Sequence, residues 1–119
     1  MAPVNKPLGT AEFILSEANH ARSRDEVSVT AGANVWESGT VMGQITASGA
    51  WVRHVPGATN GSQVAKGILF QSATGTVDRT MITRDAEVVG AMLTYSAGAS
   101  GAAIAAANAE LAAAGIIVR

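Results

Sequence analysis

Two histidines, one serine beside glycines and a few pairs of carboxylates are the residues whose types could do chemistry. His20 lies in the polar run 16–26, and His54 stands beside Arg53 in an alternating segment. Neither has a second histidine or a carboxylate at helical metal-ligand spacing. Both read as surface or rim residues rather than as ligands or bases. Ser100 in Gly98-Ala99-Ser100-Gly101 has the opening half of a nucleophile elbow. It lacks the closing glycine and an incoming strand, so a helix cap is the better reading. Arg84-Asp85-Ala86-Glu87 sets two carboxylates beside an arginine. A turn with internal ion pairing explains it without acid–base catalysis. In Arg22-Ser23-Arg24-Asp25-Glu26 the signs cancel. That run suits a solvated loop or an intersubunit salt-bridge site better than a phosphate cradle. Asn60-Gly61-Ser62 matches a glycosylation acceptor but reads as a turn.

The inventory excludes several classes of function. With no cysteine there is no disulfide, thiolate catalysis, zinc–thiolate site or iron–sulfur cluster. Walker and dinucleotide-binding loops are missing too, so no cofactor is expected. Eight basic residues face nine acidic ones, which argues against binding nucleic acid through its phosphates. Residues 1–10 show no signal-peptide pattern, and the alanine-rich stretch 101–118 is interrupted by Asn108 and Glu110, so no membrane span is expected.

The elements that must carry these residues are small. Among 119 residues, 24 are alanine and 13 glycine, leaving 33 larger apolar side chains. That is enough for one modest core in one domain. Pro3, Pro7 and Gly9 oppose helix in the first ten residues, which read as an extended arm; the alternative is a terminus with no role. Val27 and Val29 alternate with polar residues as a strand, and residues 31–34 have turn composition. Residues 35–55 read as a β-meander with turns at Ser38-Gly39 and Ser48-Gly49. Short strands are expected at 66–71 and 77–83, separated by a loop at 72–76. Residues 88–95 have the composition of a central strand. Ser100 predicts a capped helix to about Ala114, with Ile104, Ala107 and Leu111 on one face, Asn108 and Glu110 off it, and Gly115 as the stop. Ile116-Ile117-Val118 then has strand composition. Trp36 and Trp51 each adjoin a tight turn, where core and interface burial are both reasonable. The profile is a mainly β binding or structural module.

Several segments, in order, resemble the phage head decoration protein family. They are Glu12-Phe13-Ile14-Leu15-Ser16-Glu17-Ala18-Asn19, Ser23-Arg24-Asp25-Glu26-Val27-Ser28-Val29, Gly39-Thr40-Val41-Met42-Gly43 and the Ser48-Gly49 turn. Ala65-Lys66-Gly67-Ile68-Leu69, Arg84-Asp85-Ala86-Glu87-Val88 and the ending 111–119 complete the set. The resemblance implies a β-clip-like domain over residues 13–119, an extended capsid-binding arm over residues 1–12 and a homotrimer. It implies a non-enzymatic protein of the virion's outer capsid surface. Its trimers would sit on the expanded head at three-fold and quasi-three-fold positions and clamp the major capsid protein against the pressure of packaged DNA. On this reading the arm contacts are Val4, Pro7, Leu8, Thr10 and Phe13, and the trimer interface draws on Arg22, Arg24, Trp36 and Trp51. The implied partners are the major capsid protein and further copies of the chain, with no nucleic acid and no membrane. The alternative is a non-catalytic β-clip module that binds another ligand, such as a glycan.

Overall fold

The computed structural model describes residues 12–19 and 22–119. Its longest feature is an antiparallel ribbon of β2 (Arg24–Trp36) and β6 (Ala73–Ile82), paired from Arg24↔Ile82 to Trp36↔Ala73. Valines and threonines favour such a pleated, half-buried surface. Residues 31–34 do not end the strand. The register shifts on both sides of Gly32, and Gly32 stands opposite Gly75. Both glycines have left-handed φ, +60° and +68°. Turn composition has therefore been used for bulges inside a continuous strand. The expected loop at 72–76 is corrected for the same reason, since Ala73 already belongs to β6.

Strand β3 (Val41–Gln44) and β4 (Trp51–Arg53) form an antiparallel hairpin. The chain reverses near Ser48-Gly49, where Gly49 has φ +76°. This half of the expected meander is present. Its other half is not, because β4 lies between β2 and β3. Val29 and Trp51 make the parallel link from β2 to β4. Strand β5 (Gly67–Leu69) joins β3 to β6, closing a barrel in the order β2-β4-β3-β5-β6.

Beside the barrel lies a three-stranded sheet in the order β1-β7-β8, from β1 (Ile14–Glu17), β7 (Ala86–Val88) and β8 (Ile116–Val118). Strand β7 is central, antiparallel to β1 and parallel to β8. The expected strand at 88–95 is thus corrected: only Val88 belongs to it, and Gly90–Met92 is a 3₁₀ turn. A Cβ on Gly90 would stand 2.9 Å from Val118 Cγ1. Its glycine permits the close pass over β8 at which the chain leaves the sheet.

Helix α1 (Gly101–Ala113) matches its sequence signals. Ser100 Oγ accepts the Ala103 N–H at 3.1 Å, and Gly115 takes φ +88° just past the end. Ala107 and Leu111 are buried, while Ile104 is half-buried.

Two cores result. Val29, Met42, Trp51, Leu69, Ala73 and Met81 fill the barrel interior. Phe13, Val41, Ile68, Ile82, Val88, Leu111 and Ile116 belong to the second core, which includes residues of the small sheet and the helix. Adjacent residues divide between the two: Val41 and Met42 on β3, Ile68 and Leu69 on β5, Ile82 and Met81 on β6. Successive strand side chains point to opposite faces, so these strands serve as a wall shared by both cores. That explains how 33 larger apolar residues suffice.

Candidate functional site

The charged run at the start of β2 forms intramolecular ion pairs that tie the barrel to the small sheet. Arg24 donates from Nε to Glu17 Oε2 at 3.0 Å and from Nη2 to Glu17 Oε1, a two-point grip across β1 and β2. Ser23, fully buried, donates its hydroxyl to the same carboxylate. The guanidinium also stacks over Phe70, 4.4 Å from the ring centre. The Arg24 hydrogen bond is the main reason the Glu17 carboxyl is held below its ordinary value, and Glu17 raises Arg24 in return.

Next to it, Arg84 pairs with Asp25 and donates from Nη1 to the Arg22 carbonyl at 2.8 Å. Thr83 donates to Asp25 at 2.9 Å. Burial raises the Asp25 carboxyl, but the Thr83 and Arg84 hydrogen bonds outweigh it and the net shift is downward. Glu87 accepts from Arg119 and Ser16, both at 2.9 Å, and its carboxyl is also lowered, chiefly by Arg119. Arg22 and Asp85 stand 3.3 Å apart on the surface. The expected solvated loop at residues 22–26 is therefore corrected for Arg24 and Asp25, which lie in β2 and find ion-pair partners within the chain. The expected internal pairing of residues 84–87 is corrected too: each charge is met from another segment.

His54 is not a rim residue. It is 2% exposed, with Nε2 3.0 Å from the Gln63 carbonyl and 3.6 Å from Glu110 Oε1. The alternation reading failed because the loop following β4 and helix α1 close over that side of the strand. Glu110 also accepts the Ala65 backbone N–H at 3.1 Å, and Asn108 accepts the Tyr95 hydroxyl at 2.6 Å. The two polar positions off the helix's apolar line are its polar links to the barrel and to residue 95. Tyr95 has its phenol raised by burial, with the Asn108 bond opposing.

Trp51 is 8% exposed inside the barrel, so the core reading holds and the interface role expected for it is corrected. Its ring takes the space left by Gly67, where a Cβ would stand 3.2 Å from Trp51 Cζ3. Phe13 is fully buried and belongs to the second core, so it is not presented to a partner as the arm reading had it. Val4, Pro7, Leu8, Thr10 and His20 lie outside the described residues. Ser100 is engaged as the helix cap.

The remaining feature is a surface groove of about 440 Å³. Its lining includes Asn34, Trp36, Ile45, Val52, Arg53 and Val55. Trp36 and Arg53 also line a smaller adjoining pocket of about 140 Å³, with Glu37 and Thr94. Exposed Val35 and Val55 add apolar surface here. Of its apolar lining the sequence singled out Trp36 alone; the other wall comes from β4 and the loop beyond. Among the described residues no cluster of histidine, aspartate and glutamate could hold a metal ion, and no helix is long and apolar enough to cross a membrane.

A barrel with a side-chain-filled interior, braced by ion pairs and grooved on one side, defines a rigid structural or binding module. Residues 3–116 match the family model of the bacteriophage lambda head decoration protein D. The chain belongs to that family: it is a structural protein of the phage head, a capsid decoration protein located at the virion capsid surface. No curated protein matches it.

Proposed function

We propose that this chain cements the expanded phage head. Trimers of a β-clip-like domain bind its outer surface at three-fold and quasi-three-fold positions. They bridge neighbouring major capsid proteins and resist the pressure of packaged DNA. Residues 1–12 are the capsid-binding arm, with Val4, Pro7, Leu8 and Thr10 as its contacts. The observation that carries this reading is the family match over residues 3–116. Two physical arguments support it. An extended arm can add a strand to a partner's exposed sheet edge through backbone hydrogen bonds. Three arms on one trimer act together, so weak single contacts become firm through effective concentration. The cross-braced barrel suits a mechanical load, since both cores share one wall.

Deletion of residues 1–9 tests the arm. The shortened chain is expected to fold, judged by circular dichroism, and to lose co-sedimentation with expanded heads. Binding at full-length affinity would overturn the arm's role.

A further inference from the structure

The Asn60-Gly61-Ser62 turn, in the loop between β4 and β5, carries reactive chemistry that no role above uses. A glycine nitrogen has no Cβ to crowd it, so it can reach the side-chain amide of a preceding asparagine. The other asparagines precede Lys6, His20, Val35 and Ala109, which leaves Asn60-Gly61 as the one such step in the sequence.

The fold calls for both residues. Gly61 takes φ +110°, and an added Cβ would stand 2.5 Å from the Gln44 carbonyl oxygen and 2.8 Å from the Thr46 nitrogen. Asn60 Oδ1 accepts the Ser62 N–H at 3.1 Å and the Ser62 hydroxyl at 2.7 Å, and Ser62 is buried. The Asn60 carbonyl accepts the Thr46 N–H at 2.9 Å. Asn60 itself is exposed, so water reaches its amide. The attacking atom is occupied as well: the Gly61 N–H donates to Gln63 Oε1 at 2.7 Å.

We infer that Asn60 is a deamidation site, restrained in the folded chain by Gln63 and Ser62. The Gly61 nitrogen bonds to Asn60 Cγ and passes its proton through water to the departing amide. The Cγ–Nδ2 bond breaks, ammonia leaves and a succinimide closes. Water then opens the ring at either carbonyl, giving aspartate or isoaspartate. In the native loop Gln63 Oε1 holds the Gly61 proton, and the amide cannot turn without giving up both Ser62 bonds. Reaction therefore waits on local opening of the loop. Its product adds a carboxylate to the groove lining that Asn60 shares with Arg53. The isoaspartate form also reroutes the main chain through the Asn60 side chain, against the close fit of Gly61.

The test ages the full-length chain in mildly alkaline buffer, below its melting transition. Trypsin releases residues 54–66, and fragmentation locates the change from amide to acid. Wild type is expected to convert at Asn60 before any other asparagine, and faster when unfolded in guanidinium. Folded Gln63→Ala should react about fivefold faster than folded wild type, the factor that one ordinary hydrogen bond represents. Gln63→Glu keeps an acceptor oxygen and should stay near the wild-type rate. Another asparagine reacting first, or an inert Asn60 in the unfolded chain, would overturn the site. A folded wild type as fast as the unfolded chain, or equal rates in the two Gln63 variants, would overturn the restraint.

Discussion

The Glu110 carboxylate on helix α1 lies 3.6 Å from Nε2 of the buried His54, just after β4. The same oxygen accepts the Ala65 backbone N–H at 3.1 Å. One helix side chain therefore satisfies a main-chain donor near the barrel wall and faces an imidazole, joining the last third of the chain to the barrel. Glu110→Ala should cost about 1–3 kcal/mol, the range for leaving a buried donor unmet. Glu110→Gln keeps an acceptor oxygen and should recover most of that. Denaturant unfolding curves of both variants provide the check; equal losses would show that the hydrogen bond to Ala65 is not what matters.

Acid should loosen the small sheet and its seam with the barrel. Glu17, Asp25 and Glu87 each titrate below their ordinary values in the folded chain, held down by Arg24, by Thr83 with Arg84, and by Arg119 with Ser16. A depressed carboxyl stabilises the fold fully above its unfolded value, about pH 4. That contribution is lost as pH falls through the folded values. Melting temperature should therefore drop below about pH 4, and Glu17→Gln should flatten part of the fall. An acid limb unchanged in that variant would remove Glu17 from the account.

Gly67 should not accept a side chain. An added Cβ would lie 2.8 Å from the Ile82 carbonyl oxygen, 3.0 Å from Met81 Cγ and 3.2 Å from the Trp51 ring. Gly67→Ala is expected to destabilise by about 1–3 kcal/mol through overpacking. Tryptophan fluorescence should report a displaced Trp51. Wild-type stability with an unshifted spectrum would contradict the packing described for the barrel interior.

Ser100 is a structural cap rather than a nucleophile. Ser100→Ala removes the acceptor for the Ala103 N–H and should cost about 1 kcal/mol, while Ser100→Asp should retain the cap. Thermal melts of the pair decide it, with the order reversed if the side chain does not cap the helix.

How far the sequence could be read depends on the range of the interaction behind each feature. Helix α1 was legible almost to the residue, because its start, body and stop are set by Ser100, the alanines and Gly115 within a few positions. The mainly β character was legible for the same reason. Strand pairing was not: β4 reaches β2 through Val29↔Trp51, residues 22 positions apart in the chain. The bulges at Gly32 and the glycine opposite, Gly75, looked like ends of strands, since turn and bulge use the same left-handed backbone.

The candidate surfaces divide in the same way. The ordered segments that marked the family were visible in one dimension, and the match over residues 3–116 agrees with them. Only the folded chain decided that Phe13 and Trp51 are interior, that His54 is buried under Glu110, and that Trp36 shares a groove with Arg53. Local composition determines which secondary structure a segment prefers, because backbone propensity and capping act over a few residues. Burial and charge pairing depend on which distant segments close over a side chain, and that is a property of the assembled barrel.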